Sequence, residues 1–111
     1  MGANPGQMPA SFYSSVECHD ANFSRSNMSS VDLSEANLSG ANLNEVNLNH
    51  ANLSKADLRG TSFFNANLCD ANLRGANLAD TSFTNAKYNM STLWPDGFNP
   101  RSAEMVLQKD S

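Results

Sequence analysis

Residues 36–60 read ANLSG ANLNE VNLNH ANLSK ADLRG, five units in which a small residue, a polar residue and a Leu recur at every fifth position. The Leu positions are Leu38, Leu43, Leu48, Leu53 and Leu58, and the small residues two places earlier are Ala36, Ala41, Val46, Ala51 and Ala56. A period of five matches neither the 3.6-residue turn of an α-helix nor the alternation of a strand, so no single regular element keeps these Leu side chains on one face. The chain must turn once per unit. The frame runs on in both directions, back through Leu33, Met28, Phe23, Cys18, Tyr13 and Met8, and forward through Phe63, Leu68, Leu73, Leu78, Phe83, Tyr88, Leu93 and Phe98.

With each unit as a short extended piece and a tight turn, four units return the chain to its starting point, and coils stack at a spacing of roughly 4.8 Å. The expected fold is an all-β solenoid of about four coils, a rod roughly 20 Å long. Residues twenty apart then lie above one another. Phe23, Leu43, Phe63 and Phe83 make one inner column, and Met28, Leu48, Leu68 and Tyr88 the second. Leu33, Leu53, Leu73 and Leu93 make the third, and Cys18, Leu38, Leu58, Leu78 and Phe98 the fourth. Thr61-Ser62-Phe63 and Thr81-Ser82-Phe83 recur at the same twenty-residue distance, which supports the stacking. Leu53 and Leu58 sit mid-rod in a filled core that leaves no lumen for a ligand. Asn and Ser suit the outer corners because their side chains hydrogen-bond nearby backbone, and Gly40, Gly60 and Gly75 relieve turn strain.

The tandem A(N/D)LXX units, over about residues 16–95, resemble the pentapeptide-repeat family. That resemblance implies a right-handed quadrilateral β-helix. Thr92-Leu93-Trp94-Pro95-Asp96-Gly97-Phe98-Asn99-Pro100 also resembles the closing motif of many cyanobacterial members. The chain therefore divides into an N-terminal segment with the first turn (1–15), the β-helix (16–95) and a C-terminal cap (96–111). Within the cap, Asn99 suits an N-cap and Pro100 a first helical position, and Ala103, Val106 and Leu107 have helical spacing. The expectation is a short capping helix over 102–109, lying on Trp94 and Phe98. At the other end only Met8, Phe12 and Tyr13 offer cover, so the protein is expected as a monomer or as a dimer through the N-terminal end.

Composition narrows the function. Asn, Ser, Ala and Leu together supply half of the 111 residues, only 16% are charged, and the net charge is −4. Without a block of Lys and Arg there is no surface for a phosphate backbone, which argues against nucleic acid. The chain has no apolar run of bilayer length and no targeting signal, so neither a membrane nor an address is expected, and the cytoplasm is the expected compartment. Stacking places His50, Cys69 and Asp70 on one outer face, but a flat face supplies neither a cleft nor an oxyanion hole. We read these residues as structural and the chain as no enzyme. Outer stacks pair Arg25 with Glu45, Glu35 with Lys55 and His50 with Asp70. Cys18 is expected inward and Cys69 outward, too far apart for a disulfide. No His or Cys spacing suits a metal, and no cofactor is expected.

The remaining candidate is an interaction surface: outward Phe64, with Arg59 and Arg74 on neighbouring faces, and Met90 and Trp94 near the C-terminal end. The leading reading is a non-enzymatic scaffold or protein-binding module whose partner the sequence does not identify. The family resemblance offers a DNA-mimicking gyrase inhibitor as an alternative. Only Glu17, Asp32 and Asp57 are acidic before the central residue, however, and a mimic needs a continuous acidic stripe. A regulatory segment of a larger multidomain protein is the third reading.

Overall fold

In the computed structural model, which describes residues 14–109, one residue per unit takes a left-handed conformation. It lies two places after each central apolar residue: Asp20, Arg25, Ser30, Glu35 and Gly40 all have φ between 59° and 70°, and the series continues to Asn85. Within these turns the residue between is not left-handed, and the first N–H beyond the turn returns to the central carbonyl, as from Ala21 to Cys18 at 3.1 Å. Positive φ at the third turn residue alone is the mark of a type II turn. Each turns the chain by one side of a square.

The backbone N–H groups of a unit are all engaged. In the unit 41–45, Ala41 N–H closes the preceding turn on Leu38, Asn42 N–H donates down to Ala21 O, and Leu43 N–H donates up to Ser62 O. Glu45 N–H also donates up, to Phe64 O at 2.7 Å. The fifth, on Asn44, faces outward and is accepted by the Asn42 side chain at 3.0 Å. An Asn or Asp before the central residue does the same for residues 24, 29, 34, 39, 49, 54, 59, 69, 74 and 79. This is why the polar position is Asn: it satisfies a donor the ladder cannot reach.

The ladders stack at a twenty-residue interval, for instance Asn22, Asn42, Ser62 and Ser82 on one side and Glu17, Asn37, Asp57 and Asn77 on another, all parallel. The predicted columns face inward: Phe23, Leu43, Phe63, Phe83, Leu53 and Leu58 are buried. The rings of Phe63 and Phe83 stack face to face at 5.2 Å.

The regular stack ends where the frame changes. Asn72 pairs with Leu93, twenty-one residues on, so the last unit has six residues. Thr92 takes the small inner position and donates to Leu68 O, as Thr61 does to Leu38 O and Thr81 to Leu58 O. Leu93, expected inside, is therefore outside and 38% exposed, while Trp94 turns inward against Phe83, Tyr88 and Phe98. The expected capping helix is also replaced. Asn99 does cap and Pro100 does lead, but only a 3-10 turn follows, Pro100–Ser102. Val106–Leu107 is then a strand (β2), parallel to Lys87–Tyr88 (β1). The carbonyls of Ala86 and Tyr88 accept the N–H groups of Val106 and Gln108, which a helix would have turned onto itself. Met8, Phe12 and Tyr13, and with them the proposed N-terminal cover, lie outside the described residues.

Candidate functional site

The sequence brings four residues forward as a surface, and the square coil separates them. Phe64 follows the central Phe63 at one corner and is 39% exposed. Arg59 stands at the preceding corner and is bound within its own unit: its Nε and a terminal nitrogen donate to the two Asp57 carboxylate oxygens at 2.9 and 2.7 Å. That fork holds the Asp57 carboxyl below the usual carboxylate range, with the Arg59 side-chain hydrogen bonds as the largest cause. Arg74 is exposed two corners beyond Phe64, diagonally opposite it in the square coil. Trp94 belongs to the interior cluster at the C-terminal end. Of the four, Phe64 alone remains an exposed aromatic on a side of the rod.

A pattern of three outer ion-pair stacks is partly realised. Arg25 and Glu45 meet at 3.6 Å, as do His50 Nε2 and Asp70 Oδ2. Glu35 instead accepts from Ser15 Oγ at 3.4 Å, and its stack with Lys55 does not close into an ion pair. Cys69 departs from expectation in being buried, 7% exposed, and its carbonyl accepts from the Asn49 amide at 3.0 Å. His50 Nδ1 contacts Asn49 Oδ1. Imidazole and carboxylate thus meet at the corner while the thiol is withdrawn from solvent, so the three do not face a common substrate position. Cys18 is also buried, which pushes its thiol pKa up, and no disulfide joins the two. Among the described residues no group of three His, Cys, Asp or Glu side chains is placed to hold a metal ion, and no helix is long and apolar enough to cross a membrane.

At the C-terminal end sequence reasoning placed Met90 outside, as it is, but missed Leu93, Val106 and Leu107 beside it. Met90, Leu93, Val106 and Leu107 are exposed there, Met90 by 81%. Beside them a groove of about 210 Å³ is lined by Tyr88, Met90, Trp94 and Leu107, with Asn99 and Arg101 at its rim. The signal was in the chain: Thr92-Leu93-Trp94 has the form of Thr61-Ser62-Phe63 and Thr81-Ser82-Phe83, which already placed Trp94 inside and Leu93 out.

Comparison with known proteins agrees with this geometry. A family model described as pentapeptide repeats matches residues 26–63 and 61–87, in eight copies. The chain is similar to alr5209, a pentapeptide repeat protein from Nostoc Pcc 7120, at 36% identity over 86% of this chain and 83% of that one, with a TM-score of 0.65. It is similar to Rfr23 from the cyanobacterium Cyanothece 51142 at 36% identity over 67% and 57% of the two chains, TM-score 0.45. It shares a fold with AT2G44920 from the Arabidopsis thaliana thylakoid lumen, at 23% identity over 84% and 64%, TM-score 0.53. No curated protein matches. A five-residue period with an inward Leu, an Asn-closed type II turn at each corner and a twenty-residue ladder, matched in sequence and in structure, establishes that the chain belongs to the pentapeptide-repeat family and that its repeats form the right-handed quadrilateral β-helix its structural neighbours imply.

Proposed function

We propose that this protein is a non-enzymatic interaction module, a rigid rod that engages another protein through its surface. The observation that carries the reading is the near-complete internal accounting of the rod. Core columns are filled, ladder donors are used, and the outward N–H of most units is closed by its own Asn or Asp, which leaves flat sides of low charge. Such sides suit contact by shape, with Phe64 as an aromatic anchor on one corner. The burial of Cys69 beside the His50–Asp70 pair supports a structural role for that corner. Buried thiols at Cys18 and Cys69, with no bridge between them, favour a reducing compartment such as the cytoplasm.

The test is site-specific photo-crosslinking with p-benzoylphenylalanine in place of Phe64, in an extract of the source organism. A discrete protein captured from position 64, and not from Ser24 two coils below in the same column, supports the reading. No capture above the Ser24 control overturns Phe64 as the anchor.

A further inference from the structure

The turn that follows Trp94 differs chemically from every corner beneath it. From Pro95 to Phe98 the chain makes a β-turn in which Phe98 N–H donates to Pro95 O at 3.2 Å and Gly97, in the third place, has φ +84°. Asp96 precedes that glycine, and both are exposed. They border an open groove of about 510 Å³ against Gly75, Asn77 and Ala79, so water reaches both. Nothing shields the Asp96–Gly97 peptide bond on the glycine side, since a Cβ built on Gly97 meets no atom within 4 Å. Among the described residues the Asp96 carboxylate has no hydrogen bond or ion pair. The Gly97 nitrogen is equally uncommitted. Every other described aspartate is followed by an N–H that the fold already uses: those of Ala21, Leu33, Leu58, Ala71 and Thr81 donate to backbone carbonyls at 2.7–3.2 Å. Gly97 N–H makes no such bond among the described residues. A free amide nitrogen and a free carboxyl in adjacent residues are an intramolecular reacting pair.

We infer that Asp96 is a site of spontaneous covalent modification, at which closure of the Gly97 nitrogen on the Asp96 carboxyl and hydrolysis of the resulting succinimide leave an isoaspartyl linkage in the closing turn. The nitrogen bonds to Asp96 Cγ, and its proton leaves with the carboxyl hydroxyl as one water. A second water then opens the five-membered ring at either carbonyl, so nothing is oxidised or reduced and the mass is unchanged. Opening at the former main-chain carbonyl routes the backbone through the side chain, with one methylene more between residues 96 and 97. The Pro95–Phe98 hydrogen bond spans that segment, and the Phe98 ring lies 4.8 Å from Trp94 and 5.5 Å from Phe83. The added methylene therefore displaces Phe98 from the aromatic cluster that covers the last coil, and the cap loosens with the age of the molecule.

The full chain is held near neutral pH at physiological temperature and digested with trypsin, and the Tyr88–Arg101 peptide is resolved by reversed-phase chromatography. Isoaspartate is read as a second peak of identical mass. The expected result is that this peak grows with time, while the Gly60–Arg74 peptide, in which the N–H after Asp70 is bonded, accumulates its isomer about tenfold more slowly because the ladder must first open. Asp96→Glu, which needs a six-membered ring, abolishes the peak. Asp96→Asn reaches the same ring by releasing ammonia and shows the peak sooner. Position 96 is exposed, so both variants keep the fold. A Tyr88–Arg101 peptide that stays a single peak in the folded chain overturns the site, and equal accumulation in Gly60–Arg74 overturns the part assigned to the free Gly97 N–H. Aged protein should also melt earlier than fresh protein. An isomerised fraction with an unchanged melting midpoint overturns the displacement of Phe98.

Discussion

The side chain of Asn44 accepts a hydrogen bond at 3.0 Å from the backbone N–H of Phe64, one coil above it. In most units that outward N–H is closed by the Asn two residues earlier in its own chain. Residue 62 is Ser, too short for the task, and its hydroxyl instead donates to the same Asn44 oxygen. One coil thus completes the turn of the next.

Removing this acceptor is expected to cost about 1–2 kcal/mol, the range for a donor left without a partner. Asn44→Ala should therefore lower the denaturation midpoint in a urea titration, and Ser62→Asn, which restores a local acceptor, should recover most of the loss. Additive effects of the two changes would show that Asn44 and residue 62 are not coupled.

A mid-rod cavity has rigid coils above and below it and cannot collapse. Leu53→Ala and Leu58→Ala are each expected to cost about 2–5 kcal/mol. Asn52→Ala removes the acceptor of Ser54 N–H at a half-buried corner where water can replace it, and should cost about 1 kcal/mol. Equal losses at the three positions in guanidinium unfolding would contradict the inward and outward assignment.

The corner glycines separate two effects. At Gly60 an added Cβ meets no atom closer than 3.8 Å, so Gly60→Ala tests φ alone, at +68°. It should cost about 1–2 kcal/mol, and Gly60→Asn less, since Asn tolerates this region. At Gly40 the Cβ would collide with Asp20 Oδ1. Gly40→Ala should exceed Gly60→Ala in thermal-melt destabilisation, and Asp20→Ala should erase the difference.

Two carboxyls have pKa values held below the ordinary range: Asp57 chiefly by hydrogen bonds from Arg59, and Asp32 chiefly by its bond from the Ser34 hydroxyl. A depressed folded pKa stabilises above the unfolded value, near 4, and the contribution is lost as pH falls through the folded one. Melting temperature should therefore drop as pH is lowered below about 4. Asp57→Asn combined with Asp32→Asn should flatten that drop, and an unchanged acid limb would assign it to other carboxylates.

The same pairings bear on DNA mimicry. Asp57 is neutralised by Arg59 and Asp32 is turned onto Ser34, and of the residues stacked with them only Glu17, which accepts from the Asn37 amide, is acidic, the others being Asn37, Asn52, Asn72, Asn77 and Leu93. Gyrase supercoiling should be unaffected at micromolar protein. Salt-sensitive inhibition relieved by the double Asp→Asn variant would reverse that expectation.

The repeat was legible because burial imposes a strict spacing on Leu and Ala, and a twenty-residue return follows from four equal turns. The ends were not, because there the spacing is set by what the open coil lacks. Leu93 and Trp94 are both large and apolar, and the five-residue frame chooses Leu93. The open end chooses Trp94, whose ring reaches Phe83, Tyr88 and Phe98 at once. Likewise Ala103, Val106 and Leu107 are spaced for a helix, yet Ala86 O and Tyr88 O present acceptors to an extended chain. The surface residues follow the same arithmetic: Arg59, five residues before Phe64, stands at the neighbouring corner, and Arg74, ten residues after it, at the opposite corner and not the neighbouring face expected.

The six-residue unit between Tyr88 and Trp94 has a further meaning. A solenoid built from interchangeable coils holds no intrinsic information about its own length, since any coil can seat another. One extra residue at Met90–Ser91 moves the inner position from Leu93 to Trp94, and the indole meets Phe83, Tyr88 and Phe98 where a regular coil would present a Leu. The insertion is punctuation: it tells the chain to stop counting.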